Sequence, residues 1–227
     1  MKNLFFTIPA CVFLLSELHA EGPLLFDTKW IPSKPEMLTY RSTGPQGEGL
    51  YQISVWKGDS TFGTYLNIIS PGFAKTVVGT MTFDMHPIAS ASKIIVNEQI
   101  VMDTKCSYEI GRLHIFTVMS PYNKIVENSP SFSSRVVDFS QVPLLARTLR
   151  LQKGAEYTIS MLNPQTNTLI PLTVKVIGEG YIGEIDCYKV ELNDFEGQSV
   201  YWIEKGIRHR PVRIEQPDAH RITELLQ

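Results

Sequence analysis

Hydrophobic residues along this chain recur in short β-branched and aromatic runs separated by turn clusters. Residues 51–56 are followed by Lys57-Gly58-Asp59-Ser60 and residues 62–69 by Ser70-Pro71-Gly72, and the rhythm continues through 76–83, 93–96, 99–108 and 112–119. Runs of this length, punctuated by Gly, Pro, Asn and Asp, predict antiparallel meander strands rather than βαβ units. Within 99–106 the alternate positions Ile100, Met102, Thr104 and Cys106 oppose Val101, Asp103 and Lys105, which is the period of a half-buried strand and turns Cys106 inward. After residue 150 the rhythm resumes at 157–162, 169–177, 185–192, 200–204, 212–215 and 221–226. The turns between these runs fall at Asn163-Pro164, 178–183, 193–197, Lys205-Gly206 and Gln216-Pro217-Asp218.

One segment carries a helical period. Over 139–150, Val142, Leu145, Ala146 and Leu149 fall at i, i+3, i+4 and i+7, with Ser140 as the expected cap, Pro143 early enough for a first turn and Lys153-Gly154 as a stop. The predicted fold is therefore mainly β: a long curved antiparallel sheet or half-barrel with one packed helix. No internal repeat, low-complexity tract or composition shift marks a second domain, so residues 37–227 read as a single β-rich domain.

The N-terminus reads differently from the rest. Lys2, an apolar run over 4–15 and then Leu18-His19-Ala20 follow the order of a secretory signal peptide, so residues 1–20 are expected to be removed and the mature chain to start at Glu21. The run is too short to span a bilayer and is interrupted by Thr7, Pro9 and Cys11. A lipoprotein signal ending at Cys11 is the alternative. Residues 21–36 carry three prolines and read as an extended arm. These features place the protein in the periplasm or cell envelope, or secreted, with no transmembrane segment after signal removal.

Hydrophobic content of 43% against 19% charged residues describes an ordinary globular chain. A net charge of −2 gives no basic surplus for nucleic acid. Cys106 and Cys187 remain after signal removal, in a compartment where disulfides persist. They are a candidate bridge, with two small buried hydrophobes as the alternative.

Catalytic and cofactor motifs do not assemble. His86, His114, His209 and His220 show no HxxxH or HExxH spacing, there is no GxSxG, and neither remaining cysteine lies in a CxxC. Gly44, Gly47 and Gly49 do not form a phosphate-binding GxGxxG. The reading is therefore of a non-enzyme with no metal and no cofactor. The densest unusual cluster is Tyr201-Trp202-Ile203-Glu204 followed by Arg208-His209-Arg210-Pro211-Val212-Arg213. Strand alternation places Trp202 and Glu204 on one face and Tyr201 and Ile203 on the other, and a hairpin with a solvated basic turn is the plain structural reading.

Three stretches, LLARTLRLQKGAEYTI (144–159), GEIDCYKVEL (183–192) and VYWIEKGIRHRPVRIE (200–215), resemble a family of exported bacterial proteins, domain of unknown function 3108, over residues 136–227. The resemblance implies a periplasmic, sheet-dominated fold similar to the half-barrel of lipoprotein carriers, and it supplies no catalytic residues. The expected function is a non-enzymatic cell-envelope protein that holds an apolar or amphipathic ligand, such as a lipid or lipoprotein acyl chain, in a curved sheet. Tyr201 or Trp202 is expected to line its mouth, with Arg208, Arg210 or Arg213 meeting an anionic head group. The alternative is a structural or interaction module that binds another envelope protein through a sheet edge or the basic hairpin.

Overall fold

The protein is described from a computed structural model over residues 26–132, 136–163, 168–194 and 197–226, so the expected signal peptide lies outside the described residues. Eight strands run first as an uninterrupted meander: β1 (Glu36–Gly44), β2 (Gly47–Lys57), β3 (Thr61–Ser70), β4 (Phe73–Thr82), β5 (Pro87–Val96), β6 (Gln99–Glu109), β7 (Arg112–Met119) and β8 (Lys124–Asn128). The chain then leaves the sheet through the two-residue strand β9 (Val136–Val137), a 3₁₀ turn (Phe139–Gln141) and helix α1 (Val142–Thr148). A second meander follows: β10 (Glu156–Asn163), β11 (Thr168–Ile182), β12 (Ile185–Asp194), β13 (Gly197–Glu204), β14 (Pro211–Gln216) and β15 (Arg221–Leu225).

All fifteen strands form one sheet, in the order β8 to β1, then β15 down to β9. Every pairing is antiparallel except that of β9 with β10. The two meanders are joined where β1 pairs with β15, Tyr40 opposite Leu225. Each tight link has its own local reason, such as Gly72 at φ +69° between β3 and β4, a left-handed conformation that a Cβ disfavours. The sheet curls until its two ends meet, with Leu162 of β10 packing into a cluster with Cys106, Leu113 and Ile115 from β6 and β7. Side-chain contact, not a strand ladder, joins these ends among the described residues.

Alternating residues of the strands point into the barrel: Leu38 and Tyr40, Ile53 and Val55, Leu172, Val174 and Val176, Tyr201 and Ile203 are all buried. Polar side chains that face inward pair with each other, as Thr104 with Thr117 at 3.0 Å and Thr223 with Ser42 at 3.0 Å.

The helix is where expectation and structure part. The predicted helix over 139–150 is a 3₁₀ turn followed by seven α-helical residues, and its cap is Asp138 rather than Ser140. Asp138 accepts from the Ser140 N–H at 2.7 Å, while Gln141 Oε1 accepts from the Asp138 N–H at 2.6 Å, a reciprocal capping box. The segment is buried on every side, Arg147 and Thr148 included, because it runs inside the barrel. The turn expected over 178–183 also yields: β11 continues through Ile182, with a bulge between Val176 and Gly178 that keeps it paired with β12.

Candidate functional site

Residues 136–151 fill the barrel. Ser140 sits against the bare backbone of Gly79 on β4, and its carbonyl accepts from Thr64 Oγ1 at 3.1 Å. The Gln141 amide donates to the Met85 carbonyl at 2.9 Å. Asp138 Oδ2 accepts from Ser90 Oγ at 2.8 Å and from the Tyr108 hydroxyl. Burial and the neighbouring Asp138 charge hold the Tyr108 phenol well above its usual range and push the Cys106 thiol up to about 12. Two internal spaces lie beside this segment among the described residues. One of about 20 Å³ is bordered by Ser90, Cys106 and Asp138, and one of about 60 Å³ by Leu66, Val142 and Tyr201. These have room for about one water and for a few waters respectively.

Arg147 locks the far end of this segment. Its guanidinium donates to Glu36 Oε2 at 2.7 Å, to the Trp30 carbonyl at 3.4 Å and to the Arg208 carbonyl at 2.7 Å. Its own carbonyl lies 2.9 Å from His209 Nδ1, and the His209 ring stacks on Trp30 at 4.3 Å. Acceptance by the carbonyl requires the proton on Nδ1. Burial lowers the His209 pKa, so the ring stays neutral where an exposed histidine would charge. Four separate pieces of chain therefore meet at one side chain: the arm around Trp30, β1, α1 and the β13–β14 hairpin.

Outside the barrel, the same hairpin borders a cleft of about 660 Å³. Its walls include Met37 and Leu38 of β1, Ile182 and Ile185 of the β11–β12 turn, Val212 of β14 and Leu226 after β15. Arg208 and Arg210 stand at its border with Glu36 and Glu224. Arg210 is committed to Glu204 through two parallel contacts, Nε to Oε1 at 2.8 Å and Nη2 to Oε2 at 2.9 Å. Although burial pushes Glu204 upward, the Arg210 hydrogen bonds and charge outweigh it and leave the carboxyl below its usual range. Glu36 is taken by Arg147 and Glu224 by Arg213. Lys205 pairs with Glu179 and Asp186. Arg208 is exposed, and its guanidinium makes no ion pair among the described residues.

The five residues nominated from sequence are thus divided by the structure. Arg208 and Arg210 share the cleft, while Tyr201 is buried in the core. Trp202 and Arg213 lie on the opposite face of β13 and β14, where the Trp202 Nε1–H donates to Glu215 Oε1 at 3.0 Å and Arg213 pairs with Glu215 and Glu224. Tyr201 and Trp202 point to opposite faces, as strand alternation predicts, and neither lines the cleft. Glu204 also departs from alternation, because the register shift between Trp202 and Ile203 buries both Ile203 and Glu204. Cys106 and Cys187 are both buried and free, so the candidate bridge is replaced by two separate core thiols on β6 and β12. Met37, Ile182, Ile185 and Leu226 were not nominated, since nothing local in sequence joins residues so far apart. Among the described residues, no three His, Cys, Asp or Glu side chains form a group able to hold a metal ion, and no helix is long and apolar enough to cross a membrane.

The architecture defines a class: a curled, β-barrel-like protein whose lumen is occupied by its own chain. A family model described as protein of unknown function (DUF3108) matches residues 97–219, more than half of the chain, and the chain belongs to that family. The structure is similar to the crystal structure of a beta-barrel-like protein of domain of unknown function DUF1849 from Brucella abortus. That likeness has a TM-score of 0.58 and 11% identity over 86% of this chain and 96% of that one, and it bears on the fold alone. No curated protein matches the chain.

Proposed function

We propose that this is an exported, non-enzymatic binding module of the cell envelope that engages an apolar, acid-bearing partner in the cleft beside β1 and the basic hairpin. The observation that carries this reading is the contrast in space. The two spaces beside the inner segment hold about 20 and 60 Å³, whereas the cleft at the basic hairpin holds about 660 Å³. A second outer cleft of about 680 Å³, bordered by Ile88, Ile110 and Phe132, is lined by no lysine or arginine. Ligand sites commonly occupy about 300–1,000 Å³, lined by apolar side chains with a few placed polar groups. An acyl chain inside the sheet would have to displace the helix and its capping box, while in the cleft it displaces solvent alone. The basic hairpin and the neighbouring sheet edge, which the sequence offers as an interaction surface, are the walls of this cleft.

Photo-crosslinking in the native cell tests the reading. p-Benzoylphenylalanine at Met37 should give an envelope adduct that disappears when Arg208→Glu is added, and the same label at Ile222, on the outer face of β15, should give none. Absence of an adduct at position 37, or an adduct indifferent to Arg208, would overturn the proposal.

A further inference from the structure

At the rim that carries the β14–β15 turn, the lumen ends in the space of about 60 Å³ beside Leu66, Val142 and Tyr201. Inward-facing residues near the ends of six strands border it. Strand alternation turns Ser42 of β1, Tyr51 of β2, Ile68 of β3, Ser199 of β13, Gln216 of β14 and Arg221 of β15 to the same side as the core residues next to them. Ser42 and Ser199 are buried, whereas Tyr51, Ile68, Gln216 and Arg221 are half-buried and mark where the space opens to solvent.

Polar groups in this space lack partners. Ser199 is only 7% exposed, yet its hydroxyl finds no hydrogen-bond partner among the described residues. Buried hydroxyls are normally satisfied by protein, water or a bound group, so this one points to an occupant. Thr223 Oγ1 donates to Ser42 Oγ at 3.0 Å, which leaves the Ser42 proton to be donated onward. Arg221 is the one charged side chain bordering the space, and its guanidinium makes neither an ion pair nor a hydrogen bond among the described residues. Leu66, Val142 and Ile214 supply apolar wall.

We propose that this space binds a small organic carboxylate, an anion with a short apolar tail. The carboxylate pairs with the Arg221 guanidinium and accepts from the Ser199 and Ser42 hydroxyls, and the tail lies against Leu66, Val142 and Ile214. Charge fixes the sign of the ligand, because the lining offers one cation and no acidic side chain. Size fixes its class. A single water needs about 10–15 Å³, so the space takes about four to six non-hydrogen atoms, up to the size of butyrate. A fully polar oxyanion would leave oxygens desolvated against Leu66 and Val142, which is costly. Such a ligand displaces water alone and leaves the helix and its capping box in place. The site lies at the opposite end of β15 from the cleft and goes beyond the binding-module reading.

Butyrate titrated into the mature protein and read in ¹H–¹⁵N spectra tests the proposal, with inorganic phosphate and 1-butanol as companion probes. Butyrate is expected to shift the Ser199, Gln216 and Arg221 amides saturably and to leave the Arg208 amide unmoved. Phosphate and butanol should bind about tenfold or more weakly, since one lacks the apolar tail and the other the charge. Arg221→Gln should weaken butyrate about tenfold or more by removing a charge-assisted hydrogen bond, and Arg221→Lys should restore part of the loss. Arg208→Glu, in the cleft, should leave butyrate binding unchanged. The amide spectrum of each variant reports its fold, and the shifts in the unmodified protein locate the site without any substitution. No saturable shift at Ser199 and Arg221, binding that follows Arg208 instead of Arg221, or phosphate bound as tightly as butyrate would each overturn the proposal, while the cleft reading stands on its own crosslinking test.

Discussion

Ser140 Oγ occupies the place where a side chain on Gly79 would begin: a Cβ built on Gly79 would lie 2.0 Å from that oxygen and 2.6 Å from Ser140 Cβ. The inner segment thus packs onto the backbone of β4, and glycine is required there by close approach rather than by an unusual φ. Gly79→Ala should destabilise the protein by about 1–3 kcal/mol through overpacking. The double variant Gly79→Ala/Ser140→Gly should recover much of that loss, a non-additivity expected of residues in contact. Urea denaturation of the four proteins in the cycle measures it, and additive losses would show that the two residues do not touch.

Arg147 is the point at which arm, first strand, helix and hairpin are tied together. Arg147→Met leaves Glu36 as a partly buried carboxylate without its cation and strands the Trp30 and Arg208 carbonyls. A loss of about 3–5 kcal/mol is expected, the usual consequence of removing one partner of a buried pair. Replacing both Arg147 and Glu36 by Met should cost less than Arg147→Met alone, because no unpaired charge remains. Midpoints in guanidinium chloride decide this, and a single variant as stable as wild type would refute the lock.

His209 makes the hairpin sensitive to acid. Its pKa is lowered by burial below the ordinary value of 6.5, so the unfolded chain takes up a proton before the folded one does. Where the unfolded state binds more protons, stability falls as pH falls, so the loss begins near 6.5 and grows until the pH reaches the depressed folded value. Tm should therefore drop between about pH 7 and 5.5, ahead of the loss from Glu204, whose lowered pKa makes its contribution disappear below the carboxylate range. His209→Gln should flatten the first part of this profile. Parallel profiles for the two proteins would contradict the assignment.

How much of this was legible beforehand follows from which residues speak locally. The meander strands announced themselves wherever β-branched runs met turn residues, and the alternation around Cys106 correctly turned that side chain inward. β8 did not, since it has five residues and Ile125 on it is 62% exposed. β1 was missed because inward Ser42 is polar, and only its partner Thr223, 181 positions away, makes that burial sensible. The helical period at Val142, Leu145 and Leu149 was sound, but an apolar stripe says nothing about the opposite face. Arg147 reads as solvent-facing until Glu36 and the Arg208 carbonyl surround it. The cleft was least legible of all, because its walls come from strands at both ends of the chain.

The barrel interior belongs to the chain itself, which leaves long-chain ligands to the outer surface. Native-state hydrogen exchange measures this at the amides of Gln141, bonded to the Asp138 carbonyl at 2.9 Å, and Leu149, bonded to the Leu145 carbonyl at 3.0 Å. Amides that open only on global unfolding report the full stability of the protein, while those of movable elements open at lower cost. Gln141 and Leu149 are predicted to exchange with the same free energy and denaturant dependence as the most protected amides of β11 and β12. Exchange of both through a lower-energy opening, with the sheet amides still protected, would mean that the segment leaves the barrel and would contradict the account.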